Sequence, residues 1–164
     1  MISRTRHILF TVIIVILAMS IIAASSGVKL RRVKFGQDAD IAMGKAGIRF
    51  GGSQYTGTVQ LKRVNVTNSL AKDTPSFLAK WIDLRLTKDN DERVNQIVGA
   101  VYVYFKVRRA EARQFENGEL TIYFFDTWTS TWEKCSTFAV RDKNQVTRLG
   151  CRMRVFGLYG LGYK

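Results

Sequence analysis

Residues 100–107, AVYVYFKV, set Val101, Val103, Phe105 and Val107 on one face of an extended chain and Tyr102, Tyr104 and Lys106 on the other. This period of two returns in short runs from Phe35 onward. WIDLRLT directs Ile82, Leu84 and Leu86 away from Trp81, Asp83 and Arg85, and LTIYFFD groups Leu120, Ile122 and Phe124. GKAGIRFGGS alternates Ile48 and Phe50 ahead of a Gly51-Gly52 turn, and CRMRVF sets Cys151, Met153 and Val155 against Arg152, Arg154 and Phe156. No long stripe recurs at the helical period, so the pattern predicts a mainly β fold, an antiparallel β-sandwich. In TVQLKRVNV the apolar face changes between Leu61 and Val64, which predicts a bulge near Lys62-Arg63. Short helices are expected only around Pro75 and, as a single turn, within RRAEARQFENGE. GLYGLGYK carries too many glycines for a regular strand throughout and predicts an irregular edge.

The sandwich is expected to follow one N-terminal transmembrane helix. Residues 8–28 carry no charge, and twenty-one residues at ~1.5 Å rise span about 31 Å, the thickness of a bilayer core. Ile8, Leu9, Phe10, Val12, Ile13, Ile14, Val15, Ile16, Leu17, Ile21 and Ile22 supply the anchoring surface. The leading reading is an uncleaved signal-anchor over residues 1–28. A signal peptide cleaved before Gly27, which would make the protein secreted, and a buried core helix are the alternatives. Residues 29–34 then form a basic juxtamembrane linker, with Lys29, Arg31, Arg32 and Lys34 near lipid headgroups, and residues 35–164 form the sandwich domain.

Charge and histidine content narrow the function. The chain has 26 Lys and Arg against 13 Asp and Glu, and only Arg4 and Arg6 of the basic residues precede Gly27. Such a balance favours membrane lipid, another protein or an acidic surface polymer as partner; nucleic acid is less favoured, and no small-molecule substrate is indicated. The single histidine, His7, adjoins the apolar run. A domain without histidine has no Ser-His-Asp triad, Cys-His pair or His-based zinc site. No cofactor is indicated. Asp89-Asn90-Asp91-Glu92 lacks the remaining ligands of an EF-hand and predicts a solvated turn. Asn65-Val66-Thr67 fits a glycosylation sequon, and Glu111, Glu116 and Glu119 show no spacing that places two carboxylates across a cleft.

The two cysteines flank a polar turn, Asp142-Lys143-Asn144-Gln145. Strands facing each other across such a hairpin bring α-carbons within disulfide range, so Cys135 and Cys151 are expected to be joined. Two buried free thiols are the alternative. A disulfide places the domain in an oxidising, extracytoplasmic compartment, against a positive-charge balance around the apolar run that by itself favours the cytoplasm. Trp128, Trp132, Arg152 and Arg154 flank this hairpin and are the candidate interface. The plainer alternative packs Trp132 on the disulfide and leaves the arginines on a solvated face.

IYFFDTWTSTWEKC and GCRMRVFGLYGLG also resemble the C-terminal part of the autoproteolysis-inducing (GAIN-type) β-sandwich of adhesion receptors, with related modules in ankyrins, netrin receptors and bacterial surface proteins. Asp126, Trp132, Cys135 and Cys151 match that pattern, and Met153 stands where the receptors have a further cysteine. GIRFGGSQYTGTVQLKRV resembles the opening strands, so the likeness covers residues 35–162. The cleavage triplet falls on Val155, Phe156 and Gly157, with Tyr159 at the aromatic position. Without a histidine base or hydroxyl nucleophile there, the resemblance implies a non-cleaving relative.

These readings converge on a non-enzymatic, single-pass, membrane-anchored extracytoplasmic module for adhesion, scaffolding or complex assembly, acting through a basic and aromatic surface. An accessory subunit of an integral-membrane enzyme complex and a polyanion-binding module are the alternatives.

Overall fold

The structure is a computed structural model that describes residues 27–64 and 75–163. Residues 1–26 of the expected 1–28 anchor and the sequon at Asn65 lie outside the described residues, whereas Val28, expected in the anchor, opens the first strand. Among the described residues, no helix is long and apolar enough to cross a membrane.

Twelve strands and one helix are described: β1 (Val28–Val33), β2 (Ala39–Met43), β3 (Ala46–Gly51), β4 (Gly57–Arg63), β5 (Phe77–Lys88), β6 (Arg93–Val94), β7 (Ala100–Lys106), α1 (Arg109–Glu116), β8 (Leu120–Asp126), β9 (Thr131–Lys134), β10 (Thr137–Asp142), β11 (Gln145–Arg152) and β12 (Leu158–Tyr163). They form two antiparallel sheets. The first runs β1-β4-β5-β12-β8-β9, with β6 beside β5, and the second runs β10-β11-β7-β3-β2. The fold is mainly β, as the alternation predicts.

The core lies where the two inner faces meet. Val59, Leu61, Ile82, Leu84, Leu86, Ile122 and Leu161 from the first sheet meet Ile48, Phe50, Val103, Phe105 and Leu149 from the second, all essentially excluded from water. Each comes from every second position of its strand, so one set of side chains is buried while the backbone ladder satisfies the peptide groups. At about 25 cal/mol per Å² of apolar area, this burial is the main force holding the sheets together.

Several expectations are corrected. Lys29, Arg31 and Arg32 are not in a linker: they belong to β1, which pairs with β4 from Val28↔Lys62 to Val33↔Gly57. An edge strand tolerates charge because one of its sides remains in water. No bulge occurs at Lys62-Arg63, since β4 pairs with β5 without a shift from Gly57↔Lys88 to Arg63↔Ile82. No helix forms at Pro75–Phe77; β5 begins there. The polar stretch after β7 forms eight helical residues rather than one turn, and the Glu111 carboxylate accepts the N-terminal Arg108 amide at 2.8 Å.

The largest correction concerns GLYGLGYK. Leu158–Tyr163 form β12, at the centre of the first sheet between β5 and β8 rather than at an edge, with an irregularity against β5 between Gly160 and Gly162 as the glycine content predicts. Gly160 and Gly162 sit under aromatic rings from neighbouring strands. A β-carbon on Gly160 would lie 2.6 Å from Trp81, and one on Gly162 would lie 2.8 Å from Phe77. The glycines leave room for those rings, which outweighs their low strand propensity.

Candidate functional site

The outer face of the first sheet bears an aromatic layer. Phe77 and Trp81 come from β5, Tyr123 and Phe125 from β8, and Trp132 from β9. Antiparallel pairing sets Trp81 and Tyr123 on either side of Gly160, and Trp132 opposite Phe125. Trp132 folds across the glycine floor, its ring 4.8 Å from Phe77, 5.1 Å from Trp81 and 5.1 Å from Phe125. Phe77 and Trp81 are 3.7 Å apart, centroid to centroid. These four rings are half-buried and cover Tyr123, whose hydroxyl donates to the Tyr163 carbonyl at 3.0 Å. The Trp132 indole N–H is shielded from water and has no acceptor among the described residues.

The four expected interface residues do not form one surface. Trp128 is 96% exposed in the β8–β9 turn, where its amide donates to Asp126 Oδ1 at 2.9 Å. Trp132 lies on the outer face with the aromatic layer. Arg152 and Arg154 are exposed and line a separate cleft with Glu133 and Cys135. Alternation along β9 explains the division, because Trp132 and Glu133 point to opposite sides.

Cys135 and Cys151 form a disulfide with α-carbons 6.0 Å apart. Its placement differs from a simple hairpin staple. β10 and β11 pair with Thr137 opposite Cys151, and Lys143 and Asn144 form the two-residue turn with positive φ at both. Cys135 precedes β10, and its amide donates to the Ile122 carbonyl on β8 at 2.8 Å. The bond therefore ties the crossing between sheets to β11. Trp132 packs on aromatic rings from β5 and β8.

The basic residues near the start of the fold are spread along the β1 edge. Lys29 donates to the Ala42 carbonyl at 2.7 Å, linking the two sheets, and Arg32 pairs with Asp89 at 2.6 Å. Lys34 follows the strand and is exposed. The Asp89–Glu92 segment is the expected turn, with Lys88 and Glu92 paired at 2.9 Å. Among the described residues, no group of three or more His, Cys, Asp or Glu side chains converges as for a metal.

One polar pair escapes the sequence reading. Lys80 and Glu111 meet at 2.5 Å with side chains 7% and 6% exposed. Lys80 also donates to the Lys106 carbonyl at 3.1 Å. Burial alone pushes the Glu111 carboxyl up, but the Lys80 and Arg108 bonds and charges outweigh it and hold the group below its ordinary 4.5. The signal was present in β5: Lys80 shares its parity with Leu78, Ile82 and Leu84, so alternation directs a lysine into the interior.

On the second sheet, Tyr104 donates to Asp40 Oδ1 at 2.5 Å over Gly47, while Arg148 pairs with Asp40 at 3.1 Å and lies 4.8 Å above the Tyr104 ring. Burial, reinforced by the Asp40 bond and charge, pushes the Tyr104 phenol well above its ordinary value. The Arg148 and Asp40 side chains remain 36% and 43% exposed.

Comparison with protein-family models and with curated proteins finds no match.

Proposed function

We propose that the protein is a non-enzymatic, membrane-anchored, extracytoplasmic β-sandwich that binds another protein or an acidic surface polymer through an aromatic face with basic margins. The observation that carries this reading is the layer of Phe77, Trp81, Phe125 and Trp132 on the outside of the first sheet. Half-buried tryptophans held rigidly on a sheet suit recognition, because they offer large contact area at little cost in side-chain freedom. Lys134 adjoins Tyr123 on that face, and Lys62 and Arg85 flank Asp83. The disulfide supports an oxidising compartment. The resemblance to autoproteolysis-inducing domains enters here as a non-cleaving relationship, with Val155, Phe156 and Gly157 in place of the scissile triplet.

The test is site-specific photocrosslinking of the full chain in native membranes. A photoreactive side chain at position 132 is expected to yield a discrete protein or polymer adduct, and one at Arg49 on the opposite sheet is not. Equal labelling at both positions, or none at 132, overturns the assignment of the face. The intact mass of the membrane-bound protein tests the anchor separately: a chain beginning near Gly27 removes it.

A further inference from the structure

At one end of the sandwich, the end of β4, the start of β5, the β2–β3 turn and the first turn of α1 line a half-open cavity of about 370 Å³. This falls in the lower part of the roughly 300–1,000 Å³ range of small-molecule sites. Its lining divides by chemistry. Among the described residues, Lys45, Arg63 and Arg108 stand exposed at the rim, Arg108 paired with Glu111 at 3.4 Å, and the Lys80–Glu111 pair lies buried within, so four cations share one carboxylate. The Lys80 ammonium donates to Glu111 and to the Lys106 carbonyl, which leaves one of its three N–H groups without an acceptor among the described residues. Positive charge gathered against low-dielectric walls attracts an anion more strongly than the same charge spread over an open surface.

The remaining wall is apolar. Met43, Leu78, Trp81 and Ile82 line the cavity. A small hydrated ion gains nothing from such a wall, whereas a hydrocarbon tail gains about 0.8 kcal/mol for each methylene it buries. Position adds a further constraint. The Arg63 amide donates to the Gly27 carbonyl at 2.7 Å, so the apolar N-terminal segment joins the fold beside a residue of the rim.

We propose that this cavity binds a single-chain anionic amphiphile. Arg63, Arg108 and Lys45 hold its carboxylate or phosphate, and Met43, Leu78 and Ile82 receive its hydrocarbon, with Trp81 bordering the cavity from the outer layer. Supply of the amphiphile from the bilayer rests on the membrane-anchored reading; the cavity and its ligand class do not.

Trp81 provides the readout. Full-length protein in a neutral maltoside detergent is titrated with ω-bromododecanoate, whose bromine quenches indole emission on contact. Saturable quenching is expected, reversed by dodecyl phosphate and not by dodecanol. In R63Q/R108Q it should weaken by about tenfold or more, as loss of two charge-assisted contacts requires. Lys45→Gln, in a turn outside the ladders, repeats the test if the double variant does not fold. Quenching that never saturates, that persists unchanged in these variants, or that dodecanol reverses equally well overturns the proposal. So does full reversal by inorganic phosphate, which would leave the apolar wall without a role. Brominated-acyl phosphatidylglycerol in nanodiscs distinguishes the sources: quenching there assigns the amphiphile to the bilayer, and quenching by the free acid alone assigns it to solution. Saturable quenching in a native chain that begins near Gly27 upholds the cavity while removing the anchor.

Discussion

Lys80 and Glu111 hold each other at 2.5 Å with side chains only 7% and 6% exposed. Removing one charge leaves the other buried and unpaired, so Glu111→Gln or Lys80→Met should cost about 3–5 kcal/mol. Replacing both with apolar residues, Lys80→Met with Glu111→Leu, should recover most of that loss. Urea midpoints of the three variants check this. The pair also imposes a pH dependence. Because the folded pKa of Glu111 is lowered, its contribution is present above the ordinary 4.5 and is lost as pH falls through the lower folded value. Glu111→Gln should flatten that part of the acid unfolding curve.

Gly160 should tolerate no side chain. Its added β-carbon would meet the Trp81 ring at 2.6 Å and the Phe77 ring at 2.9 Å. Gly160→Ala is expected to cost about 1–3 kcal/mol by overpacking. Gly52→Ala, where the positive φ of 66° is strained but nothing lies within 4 Å, should leave the aromatic layer intact. Near-ultraviolet circular dichroism separates the two, since only the first disturbs the ring cluster.

The disulfide closes a loop with a sequence separation of 16. Cys135→Ser with Cys151→Ser should lower stability by about 3 kcal/mol, chiefly by releasing the unfolded chain. The fold should survive, because the β10–β11 ladder and the Cys135 amide bond to Ile122 remain. Thiol labelling of unfolded, unreduced protein checks the bond itself: two reactive thiols would remove both it and the support it gives to an oxidising compartment.

Alkaline pH tests the buried phenols. Burial pushes Tyr104, Tyr123 and Tyr159 above the ordinary 10.0. Their contribution is therefore complete below that value and is lost as pH rises through the folded values. Phenolate absorbance of the folded protein should show Tyr104, Tyr123 and Tyr159, three of the six tyrosines, resisting ionisation, then titrating together as the chain unfolds. Early, unhindered titration of these three would contradict the packing around Gly47 and β12.

The sequence made the inner faces legible because a half-buried strand writes its burial at every second residue. Ile48 with Phe50, Leu84 with Leu86, and Val101 with Val103 all lie where alternation puts them. What it concealed depends on distant neighbours. Gly160 and Gly162 look like strand breakers until Phe77 and Trp81 are placed over them. The charges of β1 look like a linker until the strand is known to be an edge. Lys80 was marked by its parity, but its partner Glu111 lies on a helix 31 residues away, and no local pattern joins them. For the interface, the tryptophan on β9 and the arginines at and just beyond the end of β11 look like neighbours in a hairpin, but β9 and β11 lie in different sheets, and alternation along β9 turns Trp132 away from the arginines.

The position of β12 also orders events during synthesis. It follows β11 in the chain but lies between β5 and β8 in the sheet. Until Tyr163 has left the ribosome, those two strands have no common neighbour, and each presents a bare row of amides and carbonyls. The nascent protein must wait with a sheet divided in two. Any holding factor that guards it has two defined edges to cover, and arrival of the final strand displaces the guard from both.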